Sequence, residues 1–187
     1  MKVATTKLAG VLLIDPKVHG DDRGFFVETY HADRYFEAGI EATFVQDNHS
    51  RSCRDTLRGL HAQLSHPQAK LVRAIEGSIL DVVVDIRPDS STFGEWLSVE
   101  LSAENFRQIY VPIGFAHGFC VLSDTAQVEY KCSDIYDPSH ELCLLWNDPA
   151  VGVIWPVGEP ILSEKDRVGK PLADWEMDLQ KAWIKQP

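Results

Sequence analysis

The stretch Leu57-Arg58-Gly59-Leu60-His61, followed by Gln63 and then Gln68-Ala69-Lys70-Leu71, sets two cations and an imidazole within a few residues of sequence that otherwise reads as β-strand. Successive strand side chains point to opposite faces, so His61 and Gln63 share one face and Arg58 needs a flex point at Gly59 to join them. A base held beside fixed positive charge is the minimum equipment for removing a proton next to a carbonyl and holding the resulting enolate.

A second such segment is Pro112-Ile113-Gly114-Phe115-Ala116-His117-Gly118-Phe119. Pro112 and Gly114 predict a turn that delivers His117 into a strand flanked by aromatics. A histidine in that setting is more often a hydrogen-bonded core residue than a catalyst. The spacing Pro-x-Gly-x-x-His also resembles the second motif of the cupin superfamily, a double-sheet jelly roll that encloses a ligand cavity. The first cupin motif would carry a His-x-His metal pair. Here it falls at His61-Ala62-Gln63, where the second ligand is an amide, so the pocket is expected to be metal-free.

The elements that must position these residues are mostly short strands. Ala32 to Ala38 predicts a short helix stopped at Gly39. From there to about Trp155, brief apolar or alternating runs separated by turns predict a sandwich or barrel. Ser78 to Ile86 is the clearest strand: Leu80, Val82, Val84 and Ile86 line one face, and Ile79, Asp81, Val83 and Asp85 the other. Its two carboxylates are expected to be solvated on an outer face; the functional alternative is that they line a polar cavity. After Leu172, Trp175, Leu179 and Trp183 recur at helical spacing and predict a C-terminal helix packed on the sandwich.

The bulk numbers agree with one globular domain over residues 1–187. A net charge of -10 disfavours non-specific nucleic-acid binding, because neutralising phosphates needs a basic face. Cys53, Cys120, Cys132 and Cys143 lack Cys-x-x-Cys spacing and are expected as free, mostly buried thiols in a reducing, cytoplasmic setting. The apolar run Leu8 to Ile14 leads into Asp15-Pro16 and is expected to be a first strand, not a signal peptide. No stretch is long enough for a membrane span.

Taken in order, these segments closely resemble the dTDP-4-dehydrorhamnose 3,5-epimerase family from about Gly10 to Asp166. The resemblance is carried by Asp22-Arg23-Gly24-Phe25-Phe26-Val27-Glu28, Val45 to Ser50, Leu57 to His61, Gln68 to Leu71 and Asp81 to Arg87. It continues through Pro112 to Phe119, Glu129-Tyr130-Lys131, Trp146-Asn147-Asp148 and Leu162 to Asp166. It implies an all-β, double-sheet jelly roll (cupin) with a few short helices, including a C-terminal one. The implied reaction, without a cofactor, inverts C3 and C5 of a dTDP-linked 4-keto-6-deoxyhexose on the way to rhamnose.

The resemblance also implies roles. His61 is the expected base, oriented by Asp166, and Lys70 sits near the C4 oxygen. Tyr130 is the expected acid on the other face of the ring, helped if its pKa is lowered. Asp81 and His117 form a second polar pair beside the sugar. Arg23, Arg58 and Lys165 are expected on the diphosphate and nearby polar groups, Glu28, Gln46, Asn48 and Glu141 on base and sugar, and Phe26 against thymine. The family's functional unit is a homodimer in which an N-terminal segment covers the partner's nucleotide site, so Arg23 and Phe26 are expected to act across that interface. Lys131 should face away from the site. Ala62 stands where relatives commonly carry an aromatic residue, and by alternation it points away from His61.

Four other readings compete. A C3-only epimerase would use the same base and differ in reprotonation at C5. A 3,4-ketoisomerase fits the Arg-Gly-Leu-His and Lys-Asp segments less well. A metal-dependent cupin dioxygenase would be exposed by metal analysis. A non-catalytic sugar-binding cupin would not need a base and an acid in one pocket.

Overall fold

The computed structural model describes residues 1–183, with elements numbered in chain order. A larger sheet runs in the order β1 (Lys2–Thr5), β2 (Leu12–Asp15), β10 (Gln108–Val111), β7 (Lys70–Glu76), β12 (Thr125–Cys132) and β5 (Gln46–Cys53). A smaller one runs β13 (Glu141–Cys143), β6 (Leu57–Gln63), β11 (Phe115–Val121), β8 (Ser78–Asp85) and β9 (Trp96–Ser102). Both are antiparallel throughout, and together they form a double-sheet jelly roll. Strands β3 (Val18–Asp21) and β4 (Gly24–Val27) form a separate hairpin. The helices are short: α1 (Ala32–Glu37), α2 (Glu164–Arg167) and the C-terminal α3 (Leu172–Trp183). No helix among the described residues is long and apolar enough to cross a membrane.

The sheets close on one another because their facing positions are apolar. Val72, Ile79, Val83, Ile109, Phe119 and Val128 share one core cluster between them, each fully buried aliphatic side chain contributing about 1.5–3 kcal/mol. A second cluster lies outside the smaller sheet, where Leu60, Val82, Val84 and Leu142 meet Leu172 and Leu179 of α3. Ala62 belongs to this second cluster, and Trp175 packs against it. Trp183, the last member of the predicted stripe, lies over Gly114.

Two expectations change. Asp81 and Asp85 are not solvated; both are fully buried. Strand β8 is covered on both sides, by the larger sheet on one and by α3 on the other, so neither of its faces is an outer one. Asp85 is compensated by Arg87 (2.6 Å), Ser90 (2.6 Å) and Thr92 (2.6 Å). The run Leu8 to Ile14 is strand only from Leu12 onward. Ahead of it the Val11 N–H returns to the Leu8 carbonyl at 3.1 Å, and Gly10 adopts φ +91° in a turn against Pro112. The first strand is Lys2–Thr5 instead.

The thiols divide. Cys120 and Cys132 are buried, Cys143 is half-buried and Cys53 is exposed, all four unbridged.

Candidate active site

His61 and His117 sit on neighbouring strands as direct Cα partners, so both imidazoles project from the same face of the smaller sheet into the space between the sheets. Arg58 reaches that face as well. The pairing of β6 with β11 slips between His117 and Phe119, and such a bulge re-aims side chains that strict alternation would send apart. Gly59 makes the slip sterically feasible: its φ is +118°, and a Cβ there would lie 2.6 Å from Gly118 Cα and 2.8 Å from the His117 carbonyl oxygen. The Arg58 Nε then donates to Ser52 Oγ at 3.0 Å.

Asp166 arrives from α2. Ser163 caps that helix by accepting the Asp166 backbone N–H at 3.1 Å, which frees the carboxylate to reach His61. Asp166 Oδ1 and His61 Nε2 are 2.5 Å apart. This bond assigns the proton to Nε2 and leaves Nδ1 as the lone-pair nitrogen. Burial pushes the Asp166 carboxyl up, but the His61 bond and charge, with Ser163 and Lys165, outweigh it and hold the group below its ordinary value. Asp166 therefore stays anionic at neutral pH. The half-buried Cys143 lies against it, its Sγ 3.8 Å from Asp166 Oδ1 and 3.6 Å from the Lys165 carbonyl oxygen. Burial first, and then the Asp166 charge, push this thiol up to about 12. His61, Cys143 and Asp166 have their donor atoms all within 4.8 Å of one another, a grouping able to hold a metal ion.

Lys70 and Tyr130 come from the opposite sheet, on β7 and β12. Lys70 is 8% exposed, and its burial lowers its pKa against the raising influence of Cys132, Glu141 and Asp81. Burial raises Tyr130, with Arg58 and Lys165 opposing. The phenol thus stays neutral and proton-bearing, its pKa raised, which is the opposite of the shift that would ease proton donation. His117 Nε2 meets Asp81 Oδ2 at 2.8 Å. Asp81 is pushed up by burial, with His117 and Lys70 resisting, and its Oδ1 has no hydrogen-bond partner among the described residues.

These groups line a cavity of about 640 Å³. Its walls include His61, Asp166, Lys70, Tyr130 and His117, and also Arg58, Gln46, Asn48, Glu141 and Lys165. Asp81 stands one layer behind, through His117. Gln46 Nε2 donates to Asn48 Oδ1 at 3.0 Å, and Lys165 Nζ is 2.8 Å from both Glu141 oxygens at the mouth.

Arg23, Phe26 and Glu28 are not brought to this cavity within one chain. Arg23 pairs with Asp21 on the exposed hairpin at 2.5 Å, Phe26 is 70% exposed and Glu28 pairs with Arg34. Lys131 faces the other side of its sheet, 3.0 Å from Asp47.

Tyr136 was missed. It lines the cavity with its hydroxyl 3.2 Å from Glu141 Oε2; its only sequence signal is an apolar pair, Ile135-Tyr136, in a loop ahead of Asp137-Pro138. Gln63 was placed on the right face without a role. Its amide donates to the His66 and Ile135 carbonyls at 2.6 and 3.2 Å and accepts the Asp137 N–H at 2.9 Å. It therefore anchors the loop that carries Tyr136.

Fold and cavity define a jelly-roll protein of the kind found among epimerases, which are enzymes of the isomerase class. The family model for dTDP-4-dehydrorhamnose 3,5-epimerase matches residues 5–174, and the chain belongs to that family. The dTDP-4-dehydrorhamnose 3,5-epimerase of Pseudomonas aeruginosa is 53% identical over 93% of this chain and 97% of its own length. A dTDP-6-deoxy-D-glucose-3,5-epimerase from Legionella pneumophila, solved with dTDP-4-keto-L-rhamnose, superposes with a TM-score of 0.92 at 47% identity, covering 95% of this chain and 96% of that one. A 3'-monoepimerase from Streptomyces bikiniensis, solved with dTDP-quinovose, gives a TM-score of 0.88 at 34% identity, over 97% and 95%.

Proposed function

We propose that this chain inverts C3 and C5 of dTDP-4-keto-6-deoxyglucose to give the L-rhamnose-configured 4-ketosugar, and that residues 1–187 act as one catalytic domain. The observation that carries the reading is the His61–Asp166 bond of 2.5 Å, placed in one cavity with a lysine and a neutral phenol from the opposite sheet.

The chemistry follows from that placement. His61 Nδ1 takes the proton alpha to the C4 ketone, and the C–H electron pair moves into the ring to make the enolate. Asp166, held anionic, steadies the imidazolium that forms. Lys70 donates to the C4 oxygen as negative charge gathers there; its buried ammonium is worth more in the cavity than in water. Tyr130 then returns a proton to the carbon from the other face and recovers its own from solvent. The same cycle serves the second carbon, since C3 and C5 flank the same carbonyl. Each positioned acid or base contributes on the order of 10²–10⁴ in rate.

Arg58 and Lys165 suit the diphosphate and its neighbouring hydroxyls, and Gln46, Asn48 and Glu141 the base and sugar. Arg23, Phe26 and Glu28 are proposed to act in a homodimer, on the partner's nucleotide, since their own hairpin is exposed. A cytoplasmic location is proposed with them, on the unbridged cysteines.

The test is proton NMR of dTDP-4-keto-6-deoxyglucose with the enzyme in D₂O, with a reductase trap to identify the product. Deuterium at both carbons and an L-rhamnose product are expected. Deuterium at C3 alone would move the chain to the C3-only epimerases; exchange at neither carbon would overturn the reading.

A further inference from the structure

Cys143 is not used by this mechanism, yet it stands against the base pair. Its sulfur is 3.8 Å from Asp166 Oδ1, and the donor atoms of His61, Cys143 and Asp166 all fall within 4.8 Å of one another. A thiol, an imidazole and a carboxylate are the ligand types that a borderline-soft cation selects over magnesium or calcium.

The dimensions suit one. With Zn–S about 2.3 Å and Zn–N and Zn–O about 2.0–2.2 Å, neighbouring ligand atoms of a tetrahedral site stand about 3.3–3.7 Å apart. The sulfur–carboxylate edge is already close to that length. The His61–Asp166 edge, at 2.5 Å, must open by about 1 Å, which a small side-chain rotation of Asp166 at the start of α2 provides. The fourth position would face the cavity and take water.

We infer that the base pair doubles as an inhibitory site for a thiophilic divalent cation such as Zn²⁺, held by Cys143, His61 and Asp166. Binding breaks the Cys143 S–H bond and releases that proton to solvent, shifts the His61 proton from Nε2 to Nδ1 so that the Nε2 lone pair is free to ligate, and forms the metal–sulfur and metal–nitrogen bonds, with no change of oxidation state. An imidazole and a carboxylate engaged as ligands cannot receive a substrate proton or steady an imidazolium, so the loaded protein is inactive until the ion is stripped. The inhibitory half rests on the epimerase reading; the binding half does not.

The test is built to separate the two. Metal-free protein is titrated with Co²⁺ without oxygen, and the thiolate-to-cobalt charge-transfer absorption is followed. One equivalent should give the band in the wild-type protein and in C53S, which lacks the exposed thiol, and no band in C143S or C143A. In the D₂O exchange assay Zn²⁺ should inhibit reversibly, with EDTA restoring the rate. The half-inhibiting concentration, each variant measured against its own metal-free rate, should rise about 10²-fold or more in C143S. A wild-type protein without the band, a band that survives in C143S, or equal inhibition of C143S would each overturn the site. A cobalt band that needs Cys143 in a protein showing no exchange would uphold the site and sink the epimerase reading instead.

Discussion

Two histidine–aspartate pairs face one cavity from adjacent strands, and they are built oppositely. In the His61–Asp166 pair the histidine side chain is 26% exposed, and its carboxylate comes from a capped helix start on the rim. In the His117–Asp81 pair the histidine is 8% exposed and the aspartate not at all, on a strand covered on both sides. The environments separate the carboxyls: Asp166 lies below its ordinary pKa and Asp81 above it. On the proposed mechanism the difference assigns different work. A base must exchange its proton with solvent between turnovers, so it needs an anionic partner and a wet side. A group that only shapes the sugar subsite can be sealed away, at the cost of a buried carboxylate with one orphan oxygen.

The sharpest way to break this division is to remove each imidazole. His61→Asn should lower deuterium exchange at both carbons by about 10³-fold or more, whereas His117→Asn should act about tenfold to 10²-fold and mainly through KM. Equal losses would mean that the sealed pair also takes protons. Lys70→Met comes next, with about 10²–10³ expected in kcat, the usual cost of losing one oxyanion donor. Tyr130→Phe should cost about 10² in inversion while leaving wash-out of the substrate proton closer to normal, because abstraction precedes its step. An unaffected epimerisation rate would remove Tyr130 as the acid.

How far the sequence shows this division depends on local spacing. The catalytic strand, the turn before His117 and the C-terminal stripe all follow from residues close together in the chain, and they are found where alternation and helical periodicity put them. The joining of Arg58 to His61 was legible because Gly59 lies between them. What the sequence could not show is burial set by distant elements. Asp81 and Asp85 looked like a solvated face because alternation says which residues share a face, not what covers it. Tyr136 was invisible for the same reason: Gln63, far off in sequence, folds its loop over the cavity. The hairpin carrying Arg23 and Phe26 is exposed and stands away from the cavity of its own chain, and alternation within four-residue strands says nothing of what such a hairpin meets.

The smallest expected effect is the most discriminating, because it does not need turnover. Asp166 has a folded pKa below its unfolded value, so its contribution to stability is present above the unfolded value near 3.8 and fades as pH falls through the folded one. Asp81 is raised, so its relation is reversed: the native state binds its proton more readily, and stability from this group is full below the unfolded value and is lost as pH climbs through the folded one. The cost of Asp166→Asn should therefore shrink on acidification, while that of Asp81→Asn should grow. Urea unfolding of both variants and the wild type, followed from neutral pH down to below the unfolded value near 3.8 so that the window in which Asp166 loses its contribution is covered, reads this as two lines of opposite slope. Parallel lines would mean that the two carboxylates feel the same surroundings, and with that the assignment of one pair to proton transfer and the other to the sugar subsite would lose its physical basis.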